Sequence, residues 1–331
     1  MKRIIIQYNK GLQVSHAASG IGSIVNIAFK FILLFILPNF SFSQGIYSYT
    51  DYKMGTEFNI KLSTKDTHHL AHAIAQAWAG IDHVNTVFSD YIQSSELAHI
   101  QSHPDSFITV SKEFLTLLNI SNRFSIASEG AFDVTIGALS RLWRRAIKMS
   151  EFPSQQKIDE AIRNVGYEKI IRKGNQIKFP HGLIFDFGAI AKGYACDLAY
   201  RELKKYGFTR SLVEGGGDLY IGEPPVNQPG WKIDAVIKKN NAWKDTILIL
   251  KNCGIATSGD KYKYIADSSG NRYAHIIDPH TGYGVKGPLV TTAIAGNGTD
   301  ADALATVYSI LKKDEEIRFR KRIKIWYRIL K

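Results

Sequence analysis

The segment FDFGAIAKGYACD, residues 185–197, joins the end of a predicted strand to the start of a predicted helix. The apolar run ends at Phe187, Gly188 allows a tight turn, and a helical pattern begins near Ala191. The first amides of a helix carry partial positive charge, and Lys192 adds a full charge within the first turn. This combination predicts a binding site for phosphate or pyrophosphate. A glycine-assisted junction with a lysine on the surface explains the same residues without a ligand.

Outward from this segment, the order of helices and strands is typical of an α+β domain. Upstream, apolar residues at helical spacing predict helices that include residues 112–127 and residues 154–166. Downstream of Ser211 the chain becomes strand-like, with a single predicted helix at residues 299–313. Because these strands follow one another instead of alternating with helices, we expect a mostly antiparallel sheet. We therefore predict a single α+β domain at residues 44–331, with helices packed on a large strand set.

The first 43 residues differ from the rest of the chain, because they carry four basic residues and no acidic residue. An apolar core at Phe31–Leu37 is followed by a proline and small residues, which is the pattern of a secretory signal peptide with an extended start. The core is short for a membrane span, and a retained anchor is the alternative. We therefore expect an exported protein, periplasmic or at the outer face of the inner membrane. The two cysteines, Cys196 and Cys253, are too few for a disulfide framework, and their pairing is left open.

The formal net charge of +12 comes from 42 lysines and arginines against 30 acidic residues. Such a surplus favours anionic partners such as nucleotides, acidic proteins or lipid surfaces. We find no basic helix, zinc-ligand spacing or aromatic-basic signature, and we therefore expect no nucleic-acid partner. The densest basic run, residues 318–331, alternates like a strand with one charged face. Association of this run with a membrane surface is the alternative.

The segment TDADALAT, residues 299–306, offers oxygen ligands for a metal ion. Asp302 and Thr306 are one helical turn apart and therefore share a face. A carboxylate and a hydroxyl suit a hard cation such as Mg²⁺. A capping box between Thr299 and Asp302 explains the aspartate without a metal. It does not explain Thr306, because threonine is mildly disfavoured inside a helix.

The segment HIIDPHTG, residues 275–282, places a histidine on a strand before a rigid turn. His275 is a candidate general base, and Asp278 is close enough in sequence to orient a neighbouring group. A histidine with a structural role at a strand end is the alternative. Two glycine-punctuated turns end in Asp133 and Asp218, and each could be only a turn.

Taken together, these segments resemble the ApbE family, the FAD:protein FMN transferases. The similar motifs follow the family order along nearly the whole mature chain, and they are MGTEFNI from Met54, FSDYIQSSEL from Phe88, GAFDVTIGALSRLW from Gly130, DFGAIAKGYACD from Asp186, GGGDLYIG from Gly215, ATSGD from Ala256, HIIDPHTG from His275 and DADALAT from Asp300. The resemblance implies an exported α+β enzyme that uses a divalent metal. It also implies transfer of the FMN half of FAD to a threonine or serine of a partner protein, with release of AMP.

The resemblance further implies roles for individual residues. The FAD site would comprise Met54, Tyr91, Ala131, Phe132, Asp133, Asp186, Lys192 and Ile277. Mg²⁺ would be bound by Asp302, Thr306 and the backbone carbonyl of Ala189, and His275 would be the catalytic residue. The implied partner is a flavoprotein subunit of a redox system in the cell envelope.

Two other activities fit the same residues. Water in place of the partner hydroxyl would make the protein an FAD pyrophosphatase that yields FMN and AMP. A flavin-binding module without turnover would need neither the Asp302–Thr306 pair nor His275. Two residues depart from the family pattern. Glu214 lies near the place, before the Gly-Gly-Asp segment, where the family often has asparagine, and we expect its charge to point away from the pyrophosphate. Lys192 occupies a position where some relatives carry a carboxylate.

Overall fold

The computed structural model of the chain describes three ranges of residues, which are 45–239, 242–260 and 263–331. The signal peptide predicted at residues 1–43 lies outside the described residues. Within those three ranges, no helix combines the length and the apolar content that a membrane crossing requires. Cys196 and Cys253 are both buried and both free, so no disulfide joins them.

The described residues form eight α-helices and fifteen β-strands. The helices are α1 Leu70–Phe88, α2 Glu96–Gln101, α3 Lys112–Ala127, α4 Gly137–Met149, α5 Gln155–Ile162, α6 Ala191–Lys205, α7 Gly298–Ile310 and α8 Lys313–Arg322. The strands are β1 Gly45–Lys53, β2 Thr56–Thr64, β3 Ile108–Thr109, β4 Ile171–Lys173, β5 Gln176–Lys178, β6 Ser211–Gly215, β7 Asp218–Ile221, β8 Trp231–Lys239, β9 Ala242–Leu250, β10 Cys253–Gly259, β11 Tyr264–Ala266, β12 Arg272–Ile277, β13 Gly284–Lys286, β14 Val290–Ala295 and β15 Tyr327–Leu330.

Seven strands form one antiparallel sheet in the order β1-β2-β6-β7-β10-β14-β15. Its first two strands are joined by Met54 and Gly55, whose φ values are 50° and 76°. Positive φ values suit the two-residue hairpin turn whose twist matches the twist of the flanking strands. Alternate residues of β2 are fully buried against the helices, and these are Phe58, Ile60 and Leu62. This architecture confirms the predicted α+β class and the mostly antiparallel sheet.

Helices α6 and α7 cross at a point where the backbones come too close for a side chain. A Cβ added to Gly193 would lie 2.2 Å from the carbonyl oxygen of Gly298. Asp197 of α6 also caps α7, because its carboxylate accepts hydrogen bonds from the backbone amides of Gly298 at 2.7 Å and Thr299 at 2.9 Å. The Thr299 hydroxyl donates to the same carboxylate. These contacts fix α6 and α7 in one register.

Besides the six-residue helix α2, two longer helices were not predicted from the sequence. Helix α4 buries Leu139, Trp143 and Ala146 between polar residues that obscure the apolar period. Helix α8 buries only Phe319, which leaves almost no apolar pattern to detect. Both helices are rich in lysine and arginine, so the expectation of no basic helix was wrong. The C-terminal strand is accordingly shorter than predicted and comprises only Tyr327–Leu330.

Asp197→Ala should destabilise the protein by about 2–4 kcal/mol, because three donors at the start of α7 lose their acceptor. Urea-induced unfolding followed by circular dichroism measures this change. Lys204→Ala is the matched control, since Lys204 is exposed on the same helix, and its effect should stay within about 0.5 kcal/mol. Equal unfolding midpoints for the two variants would contradict the capping role.

The same residue predicts a pH dependence of stability. Burial raises the pKa of Asp197 to about 6 from its ordinary 3.8. The folded protein therefore binds this proton more tightly than the unfolded chain, and stability falls as the pH rises from about 4 to about 6. The full change is about 3 kcal/mol. The stability difference between wild type and Asp197→Ala should therefore be larger at about pH 4.5 than at about pH 7, and a constant difference would argue against this titration.

Candidate active site

Lys192, in the first turn of α6, lies between two buried carboxylates. Its Nζ contacts the carboxylate of Asp218 on β7 and lies 3.6 Å from Oδ2 of Asp302 on α7. The two aspartates are only 3% and 4% exposed. Burial works against the charge of Lys192, but the two carboxylates outweigh it and raise the pKa of the ammonium. The structure thus brings the predicted Lys192 and Asp302 together and adds Asp218 to them.

Asp302 caps the start of α6, and within the described residues the backbone carbonyl of Ala189 just before this helix is free. Asp302 Oδ2 accepts a hydrogen bond of 3.0 Å from the backbone amide of Gly193. Gly193 is the third residue of α6, and the first four amides of a helix have no acceptor within it, so Asp302 caps one of these amides. No described residue donates a hydrogen bond to the backbone carbonyl of Ala189, which lies just before α6. The predicted metal ligand at this position is therefore available.

The remaining predicted metal ligand is the hydroxyl of Thr306, one turn after Asp302 on α7. Within the described ranges this hydroxyl bonds to no other residue, whereas the hydroxyl of Ser309 nearby donates to the Ala305 carbonyl at 2.7 Å. A carboxylate, a hydroxyl and a carbonyl are hard oxygen donors of the kind that Mg²⁺ prefers. The described residues contain no group of three or more His, Cys, Asp or Glu that could hold a metal. The predicted Mg²⁺ ligand set therefore relies on a single acidic side chain, Asp302.

His275 projects from β12 with part of its surface in solvent. Its Nδ1 lies 3.3 Å from the carbonyl oxygen of Lys263. The surrounding protein, and then the positive charges of Lys263 and Lys192, lower the pKa of His275 below its ordinary 6.5. The imidazole is therefore neutral at neutral pH and able to accept a proton. Helix α7, which carries Asp302, packs against β12, which carries His275.

Asp278 does not assist His275. Its Oδ1 accepts a hydrogen bond of 2.9 Å from the backbone amide of His280 and lies 3.3 Å from Nδ1 of the same residue. The Asp-Pro turn folds the chain back on itself, which pairs Asp278 with the following histidine. The idea that Asp278 orients a catalytic neighbour is not supported by this geometry.

Arg144 connects three residues on the flavin side of the predicted site. Its guanidinium lies 5.0 Å from the ring centroid of Tyr91, contacts Asp90 and lies 3.7 Å from Oδ2 of Asp186. The other oxygen of Asp186 accepts a 2.7 Å hydrogen bond from the amide of Gly188. Arg144 therefore ties the exposed aromatic ring to the turn that opens α6. Sequence analysis missed Arg144 because it belongs to the helix α4 that was not predicted.

The predicted flavin residues at 131–133 are buried. Ala131, Phe132 and Asp133 are 1%, 2% and 7% exposed. The Asp133 carboxylate is occupied, because it accepts hydrogen bonds from the backbone amides of Thr135 at 2.7 Å and Tyr167 at 2.8 Å. In this structure the segment can offer a ligand mainly its backbone.

Met54 and Ile277 also have defined places in the fold. Met54 occupies the β1–β2 turn with a φ of 50°, a conformation that non-glycine residues rarely adopt and that often marks a functional position. Ile277 is 6% exposed and packs in a cluster with Leu139 and Trp143 of α4. Its side chain thus packs against α4 instead of facing solvent.

Glu214 lies on the face of the sheet opposite the helices. It pairs with Asn59 in the register of β6 and β2. Burial raises its pKa, and its charged neighbours are Lys61 and Glu57 of β2, which alternate with the buried residues of that strand. Its charge therefore points away from the N-terminus of α6, as expected.

Comparison with known protein families shows the family of this chain. The model described as ApbE family matches residues 54–326, which include the predicted site residues. The chain belongs to the ApbE family.

Two curated relatives are named FAD:protein FMN transferase. The one from Haemophilus influenzae is 28% identical over 289 residues, covering 80% of each chain. The one from Vibrio cholerae is 30% identical over 274 residues, covering 79% of this chain and 80% of the relative.

Solved structures of ApbE proteins share the fold. The apo form of the Pseudomonas stutzeri flavinyl transferase ApbE aligns with a TM-score of 0.76 at 26% identity, covering 87% of this chain and 91% of that one. The ApbE protein of Thermotoga maritima aligns with a TM-score of 0.74 at 30% identity, covering 83% and 90%. The arrangement of helices on the large sheet is therefore the ApbE arrangement.

Lys263→Gln should raise the pKa of His275 toward 6.5, because it removes a positive charge that lowers that pKa. The measurement is a titration of the histidine Cε1 protons by NMR, with His275 assigned from the spectrum of His275→Gln. Lys157→Gln, an exposed change on α5, is the control and should leave the titration unchanged. An unaltered or lower pKa in Lys263→Gln would show that this charge does not act on the imidazole.

Proposed function

We propose that the protein is a Mg²⁺-dependent FAD:protein FMN transferase, which attaches the FMN half of FAD to a threonine or serine of a target protein and releases AMP. Membership of the ApbE family and the names of the curated relatives support the transferase activity. The single observation that carries the metal-dependent chemistry is the free carbonyl of Ala189 just before α6, the helix in which the amide of Gly193 donates to Asp302.

The diphosphate of FAD would bind at the N-terminus of α6. There the partial positive charge of the helix start and the ammonium of Lys192 would attract the diphosphate. The contact with Asp218 holds this ammonium in place. Asp302, Thr306 and the Ala189 carbonyl would hold Mg²⁺, whose bound charge offsets that of the diphosphate and of the leaving AMP.

His275 would act as the general base. The hydroxyl of the target residue forms a bond to the phosphorus of the FMN half, the bond from that phosphorus to the AMP oxygen breaks, and the hydroxyl proton passes to His275. The lowered pKa keeps the imidazole in the neutral form that accepts this proton. Because His275 is partly exposed, a hydroxyl carried by another protein can reach it.

The flavin ring would lie against Tyr91 and Met54. Tyr91 is 77% exposed, which is a large aromatic surface to leave in water. Arg144 fixes this ring through its contact with the aromatic face, and Asp186 fixes Arg144. The pocket side chains are thus held in place by contacts to one another.

The location and the target follow from the leader and from the family resemblance. The signal peptide predicted at residues 1–43 would export the protein to the periplasm or to the outer face of the inner membrane. The target would then be a flavoprotein subunit of an envelope redox system. The basic C-terminal run could hold the enzyme close to the membrane surface on which such systems lie.

Hydrolysis is the second candidate function. The partial exposure of His275 that admits a protein hydroxyl also admits water, and the same residues would then yield FMN and AMP from FAD. Analysis of the products with and without a target protein separates the two reactions. A flavin-binding module without turnover would need neither the Asp302–Thr306 pair nor His275.

Asp302→Ala and Thr306→Val should both weaken Mg²⁺ binding, because each removes one of the three oxygen ligands. We expect FMN transfer to fall by about 100-fold in Asp302→Ala and by about tenfold in Thr306→Val. Calorimetric titration of Mg²⁺ into the FAD-loaded protein measures the first effect. Mass spectrometry of a co-expressed envelope flavoprotein measures the second.

Ser309→Ala is the matched control for both variants. Ser309 lies one turn further along α7, and its hydroxyl already donates to the Ala305 carbonyl. Its Mg²⁺ affinity and transfer activity should match those of the wild type. If Thr306→Val keeps the wild-type Mg²⁺ affinity, the metal does not use the Thr306 hydroxyl and the ligand set is wrong.

His275→Ala should lower the rate of transfer by ~10²–10⁴-fold while FAD still binds, because the variant lacks the proton acceptor. In the wild type, the acidic limb of the pH–rate profile should lie below pH 6.5, since the lowered pKa keeps the base unprotonated to a lower pH. Release of AMP, followed by chromatography across the pH range, tests both statements. A limb centred above pH 6.5 would be incompatible with His275 as the base.

A further inference from the structure

The outer face of α4 carries a stripe of basic side chains. Arg141, Arg145 and Lys148 are spaced by four and three residues, so they share one face of the helix. All three are exposed, while Leu139 and Trp143 on the opposite face are buried. The stripe therefore faces solvent on a helix that the core holds rigidly in place.

These three charges have no acidic partner among the described residues. No ion pair or hydrogen bond involves the side chain of Arg141, Arg145 or Lys148 in that part of the chain. The neighbouring Arg144 differs, because Asp90 and Asp186 neutralise it. A positive surface is therefore left uncompensated on this side of the molecule.

The stripe borders a pocket of about 530 Å³. The lining contains four cations against one carboxylate, together with a tyrosine and a methionine, and its members are Asp90, Tyr91, Arg141, Arg144, Arg145, Lys148 and Met149. Tyr91 and Met149 are 77% and 54% exposed. Arginine, tyrosine and methionine are the residue types enriched at protein–protein interfaces. The composition of this lining favours a protein partner. A small anion would instead need buried hydrogen-bond donors, and the basic side chains of the lining are on the surface.

The pocket adjoins the candidate active site. Tyr91 belongs to both, and Arg144 links it to Asp186, which holds the turn before α6. An enzyme that modifies a hydroxyl on another protein must hold that protein across the rim of its site. Residues that flank the acceptor hydroxyl must then pass within reach of α4.

We propose that Arg141, Arg145 and Lys148, here called the α4 basic patch, dock an acidic segment of the protein that receives FMN. The proposal rests on the transferase function proposed above. Opposite charges on the two surfaces would steer the acceptor to the site and favour acidic acceptors over neutral ones. The exposed Met149 would supply apolar contact beside the charges.

The test compares two triple variants with the same change in net charge. Arg141→Glu/Arg145→Glu/Lys148→Glu reverses the patch and leaves Arg144 intact. Lys313→Glu/Lys321→Glu/Lys324→Glu reverses three exposed lysines in and after α8 that likewise lack an ion pair in the described ranges. The probe is a fluorescein-labelled peptide with one threonine among Asp and Glu residues. A matched peptide carries Asn and Gln in place of the acids.

Fluorescence anisotropy should show that the patch variant binds the acidic peptide at least about tenfold more weakly than the wild type. The α8 variant should lose less than about twofold, and the wild type should bind the neutral peptide at least about tenfold more weakly than the acidic one. Equal losses in both triple variants would overturn the proposal, because net charge alone would then explain binding. Equal binding of the two peptides would also overturn it.

Two further measurements distinguish docking of an acidic protein segment from a failure of FAD binding and from binding to a lipid surface. FAD binding, followed by flavin fluorescence, should be equal in the wild type and the patch variant. A wild type that binds no FAD would refute the transferase function and with it the identity of the occupant, whereas normal FAD binding without peptide discrimination would refute docking alone. Patch-dependent binding to phosphatidylglycerol vesicles, with no binding of the acidic peptide, would identify a lipid surface as the occupant and overturn the proposal.

Discussion

The hydrogen bond from the Gly193 amide to Asp302 is the contact on which the candidate site depends. It forms only because α6 and α7 approach so closely that neither Gly193 nor Gly298 could carry a side chain. Asp197 keeps this approach in register by capping the first turn of α7. One crossing point therefore holds a buried carboxylate at the N-terminus of α6.

That arrangement places charges where burial disfavours them. Lys192 lies between Asp218 and Asp302, both of which are nearly inaccessible to solvent. Buried ion pairs contribute little to stability, because desolvation offsets much of their attraction. Their value lies in holding charged groups at fixed positions before a ligand arrives, which lowers the reorganisation that binding and reaction require. The cluster is thus better explained by chemistry at this site than by the stability of the fold.

The sequence patterns succeeded where a residue's role is local. The glycine turn and helix start around Gly188 were predicted, and so was the shared helix face of Asp302 and Thr306. The strand predicted to end at Phe187 was wrong, because β5 ends at Lys178 and Ile184 makes only an isolated bridge before α6. They failed where a role depends on distant partners. Asp218 was seen only as the end of a turn, since its contact with Lys192 spans 26 residues. Helix α4 was missed because polar residues interrupt its buried stripe, and Arg144 was missed with it.

By itself the sequence determined the α+β class, the antiparallel strand set, the motif order of an ApbE protein and the residue types available for binding a diphosphate and a hard cation. These follow from local periodicity and turn chemistry, which the chain carries wherever it folds. Only the tertiary structure decided that the Gly193 amide donates to Asp302, that Asp278 bonds to His280 and not to a catalytic group, and which basic side chains remain unpaired. Those outcomes depend on the close approach of segments far apart in the chain, and local sequence patterns carry no information about that distance.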